Sequence, residues 1–160
     1  MRARVSAGLL LWRRGQNGLE VLLGHPGGPI FAARDAGYWT IPKGEVEPEE
    51  RALGEAGLAA VARREYAEET GHPVPDGELI PLGSIVQKGG KEVYGWAAEG
   101  DLDPDDAHSN LFTMQWPPRS GRMGSYPELD RVAWFDLPEA RRRVKETQVP
   151  LLDRLEAALG

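Results

Sequence analysis

Three glutamates, Glu65, Glu68 and Glu69, stand together in the run Ala62-Arg63-Arg64-Glu65-Tyr66-Ala67-Glu68-Glu69-Thr70-Gly71. Read as a helix, offsets of three and four place all three carboxylates on one face, within one turn. Gly71, with Pro73 following, is a helix stop signal, so these charges occupy the final turn. The macrodipole is already negative there, and each like-charge contact costs a few tenths to about 1 kcal/mol. A hard divalent cation offsets that cost, because Mg²⁺ takes carboxylate oxygens together with substrate phosphate. Taken alone, the run also fits a solvated helix face with an i,i+4 pair between Arg64 and Glu68.

Other chemistries are excluded by composition. The chain has no cysteine, which removes disulfides, thiolate zinc sites and cysteine nucleophiles. His25, His72 and His108 are far apart and form no HxxxH or HExxH spacing, so a histidine zinc site has no support. The 19 basic and 25 acidic residues give a formal charge of −6, against a chain built to coat nucleic acid. A polyanionic substrate is repelled at long range by such a chain and needs a metal ion or a local Arg/Lys patch. Leu9-Leu10-Leu11-Trp12 is too short for a signal-peptide core or a membrane span, so a soluble cytoplasmic protein is expected.

The elements that position the glutamates follow from hydrophobic patterning. The 160 residues suit one domain spanning 1–160. Residues 4–13 and 19–24 read as strands joined by a hairpin at Gly15-Gln16-Asn17-Gly18. A Gly/Pro-rich loop from His25 to Gly37 leads into an apolar strand at Tyr38-Trp39-Thr40-Ile41, broken by Pro42-Lys43-Gly44. The segment from about Glu49 to Thr70 is expected to be helical in its second half. Strands follow at 80–87 and 92–98 around the turn Lys88-Gly89-Gly90-Lys91, then at 111–116 and 131–135. A polar loop at 99–110 and a turn-rich loop at 117–127 separate them, and helices at 138–144 and 150–159 close the chain. Leu151, Leu152, Leu155 and Leu159 form a packing stripe on the last one. This order is not a regular βαβ alternation; it predicts an α/β (α+β) fold in which helices sandwich a mixed sheet.

Gly44-Glu45-Val46-Glu47-Pro48-Glu49-Glu50, with Arg64-Glu65-Tyr66-Ala67-Glu68-Glu69-Thr70-Gly71 downstream, resembles the Nudix box, GX5EX7REUXEEXGU with U aliphatic. The approach Trp39-Thr40-Ile41-Pro42-Lys43-Gly44 is also typical of that family. Three positions depart from the pattern. Thirteen residues rather than seven separate Glu50 from Arg64, an insertion of about six placed within Arg51–Gly57, Tyr66 replaces an aliphatic residue, and His72 stands at the box's last, aliphatic position. The insertion bears on the substrate-side loop and leaves the catalytic turn untouched.

The resemblance implies an α/β/α sandwich and Mg²⁺-dependent hydrolysis of a pyrophosphate linkage, with Mn²⁺ able to substitute. It implies Glu68 and Glu69 as metal ligands, and Glu65 as a ligand or as the group that positions and deprotonates water. By the same resemblance, the backbone carbonyl of Lys43 is expected to complete the metal shell, and Arg64 to orient a glutamate and pair with Glu50. Gly44, Glu50 and Gly71 are structural. A further carboxylate is expected ahead of a late strand; Glu128 is the choice, with Asp101, Asp105 and Asp106 competing, although that cluster also reads as a solvated turn. Lys43, Arg34, Arg119 and Arg122 are the cations expected to meet phosphates. Trp39 and Tyr38 are expected in the core, and Trp116 and Tyr126 are open. The expected substrate is a small nucleoside diphosphate-linked compound, first a diadenosine polyphosphate or a nucleoside triphosphate. The rivals are an RNA 5′-pyrophosphohydrolase, which no basic stripe supports, a ligand-sensing module without turnover, and an interaction domain with an acidic helix.

Overall fold

Residues 5–12 of the first strand are all buried, as a continuous apolar run must be when a strand is covered on both faces. The computed structural model describes residues 4–160, so residues 1–3 of the expected domain lie outside the described part. Strand β1 (Val5–Gly15) turns through Gln16-Asn17 into β2 (Gly18–Pro26), with Gly15 opposite Gly18 as the hairpin signal requires. On its other edge β1 runs parallel to β5 (Glu92–Glu99), which pairs antiparallel with β4 (Ile80–Val86). Strand β8 (Leu129–Asp136) pairs with β2, giving a mixed sheet of order β4-β5-β1-β2-β8.

The two faces of β1 divide the core. Val5, Ala7, Leu9 and Leu11 pack with Leu58, Val61, Ala62 and Tyr66 of helix α2 (Glu55–Thr70). Leu10 and Trp12 face the opposite way, onto Ala140 of α3 (Leu137–Arg143) and Leu151, Leu152 and Leu155 of α4 (Val149–Leu159). The result is the expected α/β/α sandwich around a mixed sheet. Among the described residues no helix is long and apolar enough to cross a membrane.

Two stretches differ from the reading of the sequence. Tyr38–Ile41 is not a strand, because its backbone partners change at nearly every residue. Thr40 exchanges hydrogen bonds with Gly24 at 2.8 and 2.9 Å, while Trp39 pairs with the chain around Val144. The Pro42 carbonyl then accepts from Leu9 N at 3.0 Å, and Lys43–Glu45, expected to be a break, forms the short strand β3 on β1. Segment 40–45 is thus a wedge between the splayed ends of β1 and β2. The second difference is at Met123–Pro127, expected as loop, which is strand β7 paired with β6 (Leu111–Gln115). Its Gly124 and Pro127 disfavour a strand by propensity, and the pairing survives in a two-stranded ribbon outside the main sheet.

Between β3 and α2 the chain forms one helical turn, α1 (Pro48–Arg51), and a bend at 52–54 before α2 starts at Glu55. The thirteen residues between Glu50 and Arg64 therefore form the end of α1, the bend and the first turns of α2.

Candidate functional site

Helix α2 stops at Gly71, whose φ of 77° is the left-handed conformation that favours glycine. The last-turn carbonyls, without partners inside a helix, are taken up from outside: His108 N donates to Thr70 O and Asn110 N to Glu68 O, at 3.0 and 2.9 Å. Asn110 O accepts in turn from Glu128 N at 2.9 Å, and Glu128 O accepts from Gly27 N at 3.0 Å. The 107–110 loop thus ties the start of β8 to the acidic end of α2.

Three carboxyl groups feel one another there. Glu69 is only 6% exposed, and burial first, then the charge of Glu65, raises its pKa to about 9. The carboxyl groups of Glu65 and Glu69 are close enough to share a hydrogen bond. Burial and the Glu68 charge raise Glu65, and burial raises Glu128, whose charge reaches both Glu65 and Glu69. The opposing cation is Lys43, held down to about 8 by burial and by Lys145 and Lys91. A Cβ at Gly44 would overlap the Glu65 carboxyl group, so glycine lets β3 approach this side chain. Glu68 stands further out, with its side chain 42% exposed and Arg64 Nε 3.9 Å away. Among the described residues no three acids or imidazoles converge as a ready-made metal cage.

Glu50 and Arg64 form the expected ion pair, and Glu50 also accepts from Glu47 N at 3.0 Å, which fixes α1 against α2. The Arg64 hydrogen bond holds the Glu50 carboxyl group below its ordinary range. The aspartates lie elsewhere. Asp101 accepts from Arg13 at 2.6 Å, while Asp105 and Asp106 sit in a 3₁₀ turn capped by Asp103. Glu128, not this cluster, is the late acid whose charge reaches Glu65 and Glu69.

The four expected phosphate contacts are scattered. Lys43 borders the glutamates, Arg34 sits over the Tyr38 ring at 5.6 Å, and Arg119 and Arg122 are exposed near the tip of the β6–β7 hairpin. Trp39 is core at 2% exposure, but Tyr38 is half-buried and lines a cavity instead. Its neighbour in the chain is a turn-rich loop rather than a strand, so no ladder draws it inward. Trp116 is 36% exposed, and Tyr126 packs on Phe112.

Two features had no motif to reveal them. Lys91 and Lys145 approach Lys43 from distant parts of the chain. His25, fully buried, places Nδ1 2.9 Å from Asp130 Oδ1 and Nε2 2.6 Å from Arg34 O.

The sequence model of the NUDIX domain matches residues 2–155. Comparison with curated proteins gives no match. Among solved structures, the NUDIX domain of Shewanella oneidensis NrtR, complexed with ADP ribose, aligns at a TM-score of 0.66 and 14% identity, covering 100% of this chain and 90% of that one. A C. elegans Ap4A hydrolase aligns at 0.64 and 24% identity, with 98% of each chain covered. A MutT protein from Methanosarcina mazei Go1 aligns at 0.57 and 19% identity, covering 98% of this chain and 95% of that one. At these identities the structures speak for the fold, while the sequence model spans nearly the whole chain and its box residues gather at the end of α2. The chain belongs to the Nudix hydrolase family.

Proposed function

We propose that this Nudix domain is a Mg²⁺-dependent pyrophosphohydrolase of nucleoside diphosphate-linked compounds, with diadenosine polyphosphates and nucleoside triphosphates the first substrates to try. The observation that carries this reading is the Glu65–Glu69 pair, Glu69 buried and Glu65 half-buried beside it, with Glu128 nearby and Lys43 as the opposing charge. Protein stability alone gives no reason to bury like charges so close. A divalent cation in place of the shared proton offsets their repulsion, so the donor set fits a hard ion.

Glu65, Glu68 and Glu69 would hold the ion, with the Lys43 carbonyl and Glu128 completing the set. Once bound, Mg²⁺ neutralises phosphate oxygens and orients the linkage for in-line attack by water. The reaction breaks one P–O bond of the anhydride and forms one from water to phosphorus, releasing two phosphate-bearing products. Glu65, with its pKa raised by burial and by Glu68, is suited to take the proton of the attacking water. Arg64, 3.7 Å from Glu65 and paired to Glu50, keeps the helix face oriented toward β3. The folds shared with an Ap4A hydrolase and a MutT protein are consistent with this substrate range. A cytoplasmic location suits a small-molecule nucleotide substrate.

The test is a panel of nucleoside diphosphate derivatives incubated with purified protein and Mg²⁺ or Mn²⁺, with products resolved chromatographically. Metal-dependent release of nucleoside monophosphate or a related phosphate is expected. Metal-independent turnover sinks the mechanism, and binding across the panel without turnover identifies a sensing module instead.

A further inference from the structure

Segment 40–45 brings the Lys43 carbonyl and Gly44 to the glutamate end of α2, and its backbone groups are met one at a time. Just before it, Trp39 N donates to Arg143 O at 3.1 Å and Trp39 O accepts from Lys145 N at 2.9 Å. Thr40 is bound to Gly24, and the Pro42 carbonyl to Leu9 N. Ile41 falls between these partners and is buried, so its N–H needs an acceptor inside the protein. A side chain supplies it. Gln148, fully buried in the turn ahead of α4, places Oε1 3.1 Å from Ile41 N, across 107 residues of sequence.

The rest of that amide is also used. Gln148 Nε2 donates to Thr40 Oγ1 at 2.8 Å, and the Thr40 hydroxyl donates in turn to Ile41 O at 2.9 Å. One side chain thus holds both polar groups of Ile41, the N–H directly and the C=O through Thr40. Nε2 also donates to Gln87 Oε1 at 3.0 Å, just past the end of β4. The gripping residue is itself held, because Gln148 N donates to Lys145 O at 2.8 Å. Apolar side chains would fill this core at no polar cost; an amide with every bond made selects one path for the chain it touches.

That path ends at the glutamates. Pro42 follows Ile41 with a fixed φ and no N–H, so the Ile41 peptide sets the direction in which the chain leaves. Gly8 stands opposite Lys43, and a Cβ there would lie 2.6–2.7 Å from Pro42 O, Ile41 Cδ1 and Lys43 Cβ. Residues 41–43 are therefore pressed onto β1 at Gly8 and clasped by Gln148. Gly44 comes next, against the Glu65 carboxyl group. We infer that Gln148 is a positioning residue of the metal site, acting through Thr40 and Ile41 to set where the Lys43 carbonyl and Gly44 stand relative to Glu65. This rests on the hydrolase reading above and adds to it a residue from the far end of the chain.

Mn²⁺ binding followed by electron paramagnetic resonance, with no nucleotide present, reads the site without turnover. Gln148→Met keeps the length of the side chain and removes its three bonds; it is expected to weaken Mn²⁺ binding about tenfold or more. Thr40→Val removes the bridge to the Ile41 carbonyl and is expected to weaken binding severalfold, whereas Thr40→Ser keeps the hydroxyl and should bind as wild type does. The Gln148→Met/Thr40→Val double variant should be no weaker than Gln148→Met alone, because both act through one chain of bonds. Hydrogen exchange is expected to rise at 41–45 and to stay low in the last turns of α2. A truncation elsewhere in the same core, Leu159→Ala on α4, should lower Tm and leave Mn²⁺ affinity unchanged, which separates positioning from stability. If Gln148→Met does not fold, the milder Thr40→Val and Thr40→Ser pair decides the question. Wild-type Mn²⁺ affinity in Gln148→Met and Thr40→Val, with or without a loss of Tm, overturns the proposal. Absence of Mn²⁺ binding by the wild type sinks the hydrolase reading and this inference with it, and is told apart by appearing before any variant is compared.

Discussion

Glu65 and Glu69 stand one helical turn apart with their carboxyl groups within hydrogen-bonding reach, and Glu69 is almost wholly buried. A group whose folded pKa is raised to about 9 binds its proton more tightly folded than unfolded, where an ordinary glutamate releases it near pH 4.5. Its contribution to stability is complete below pH 4.5 and is lost as pH rises toward 9. Lys43 works in the opposite direction, but only between about 8 and the ordinary lysine value of 10.5, so the window below pH 8 reports on Glu69. Metal-free protein is therefore expected to lose about 5 °C or more in Tm between pH 5 and pH 8. Glu69→Gln should flatten that slope, and saturating Mg²⁺ should reverse it by favouring the ionised pair. Thermal unfolding in EDTA and in Mg²⁺ across this range is the measurement; a flat wild-type profile in EDTA refutes the buried pair.

Glu68→Gln and Glu69→Gln keep the shape of each side chain and remove one negative charge. Turnover with Mg²⁺ is expected to fall by about a hundredfold or more in each. Circular dichroism and Tm should show an intact fold, particularly for the exposed Glu68. Full activity in both variants would be incompatible with their role as ligands.

Gly44→Ala asks whether β3 must lie directly against Glu65. The added methyl overlaps the Glu65 carboxyl group, so that side chain or the strand has to shift. Overpacking of this kind costs about 1–3 kcal/mol. Activity is expected to fall more than tenfold and the half-saturating Mg²⁺ concentration to rise, because the displaced group is the one proposed to touch metal or water. A stability loss with unchanged metal dependence would leave Gly44 a purely structural residue.

The central strands were legible because apolar runs buried on both faces have few alternatives; Leu9–Trp12 could only be interior. The acidic end of α2 was legible because its spacing, its glycine stop and the upstream Gly44 and Glu50 all agree. The wedge at 40–45 was not, since its partners, Gly24, Leu9 and Val144, come from three separate elements and leave no periodic trace. Strand β7 escaped because Gly124 and Pro127 argue for loop, and only its pairing with β6 overrides them.

Glu128 and Asp101 compete for the last carboxylate, and the structure separates their consequences. The Glu128 backbone is fixed by Asn110 and Gly27, and its charge reaches Glu65 and Glu69. Glu128→Gln is expected to lower kcat about tenfold or more and to weaken Mg²⁺ dependence, with little change in Tm. Asp101 instead binds Arg13, which lies over the Trp134 ring at 4.0 Å. Asp101→Asn removes a partly exposed ion pair worth at most about 1 kcal/mol and should leave kcat unchanged. Steady-state kinetics at varied Mg²⁺ for the two variants decides between them, and the reverse pattern would move the site to the Asp101 loop.

The buried His25 offers the final test, because it joins three parts of the chain at once. It lies on β2, with Nδ1 2.9 Å from Asp130 Oδ1 on β8 and Nε2 2.6 Å from the Arg34 carbonyl, and its ring meets Trp39 edge-on at 5.3 Å. Asp130→Asn keeps the shape of the side chain that meets Nδ1 of the buried ring and replaces one carboxylate oxygen with an amide NH₂. A loss of about 1–3 kcal/mol is expected. His25→Phe removes the donor to Arg34 as well and should free the 27–38 loop, which carries Phe31 and Tyr38. Hydrogen exchange should then rise in that loop while α2 stays protected. Unchanged exchange in the 27–38 loop of His25→Phe would mean that the Arg143 and Asp35 contacts alone hold it, through the 2.9 Å bond from Gly37 N to Arg143 O and the 2.8 Å pair from Arg143 to Asp35.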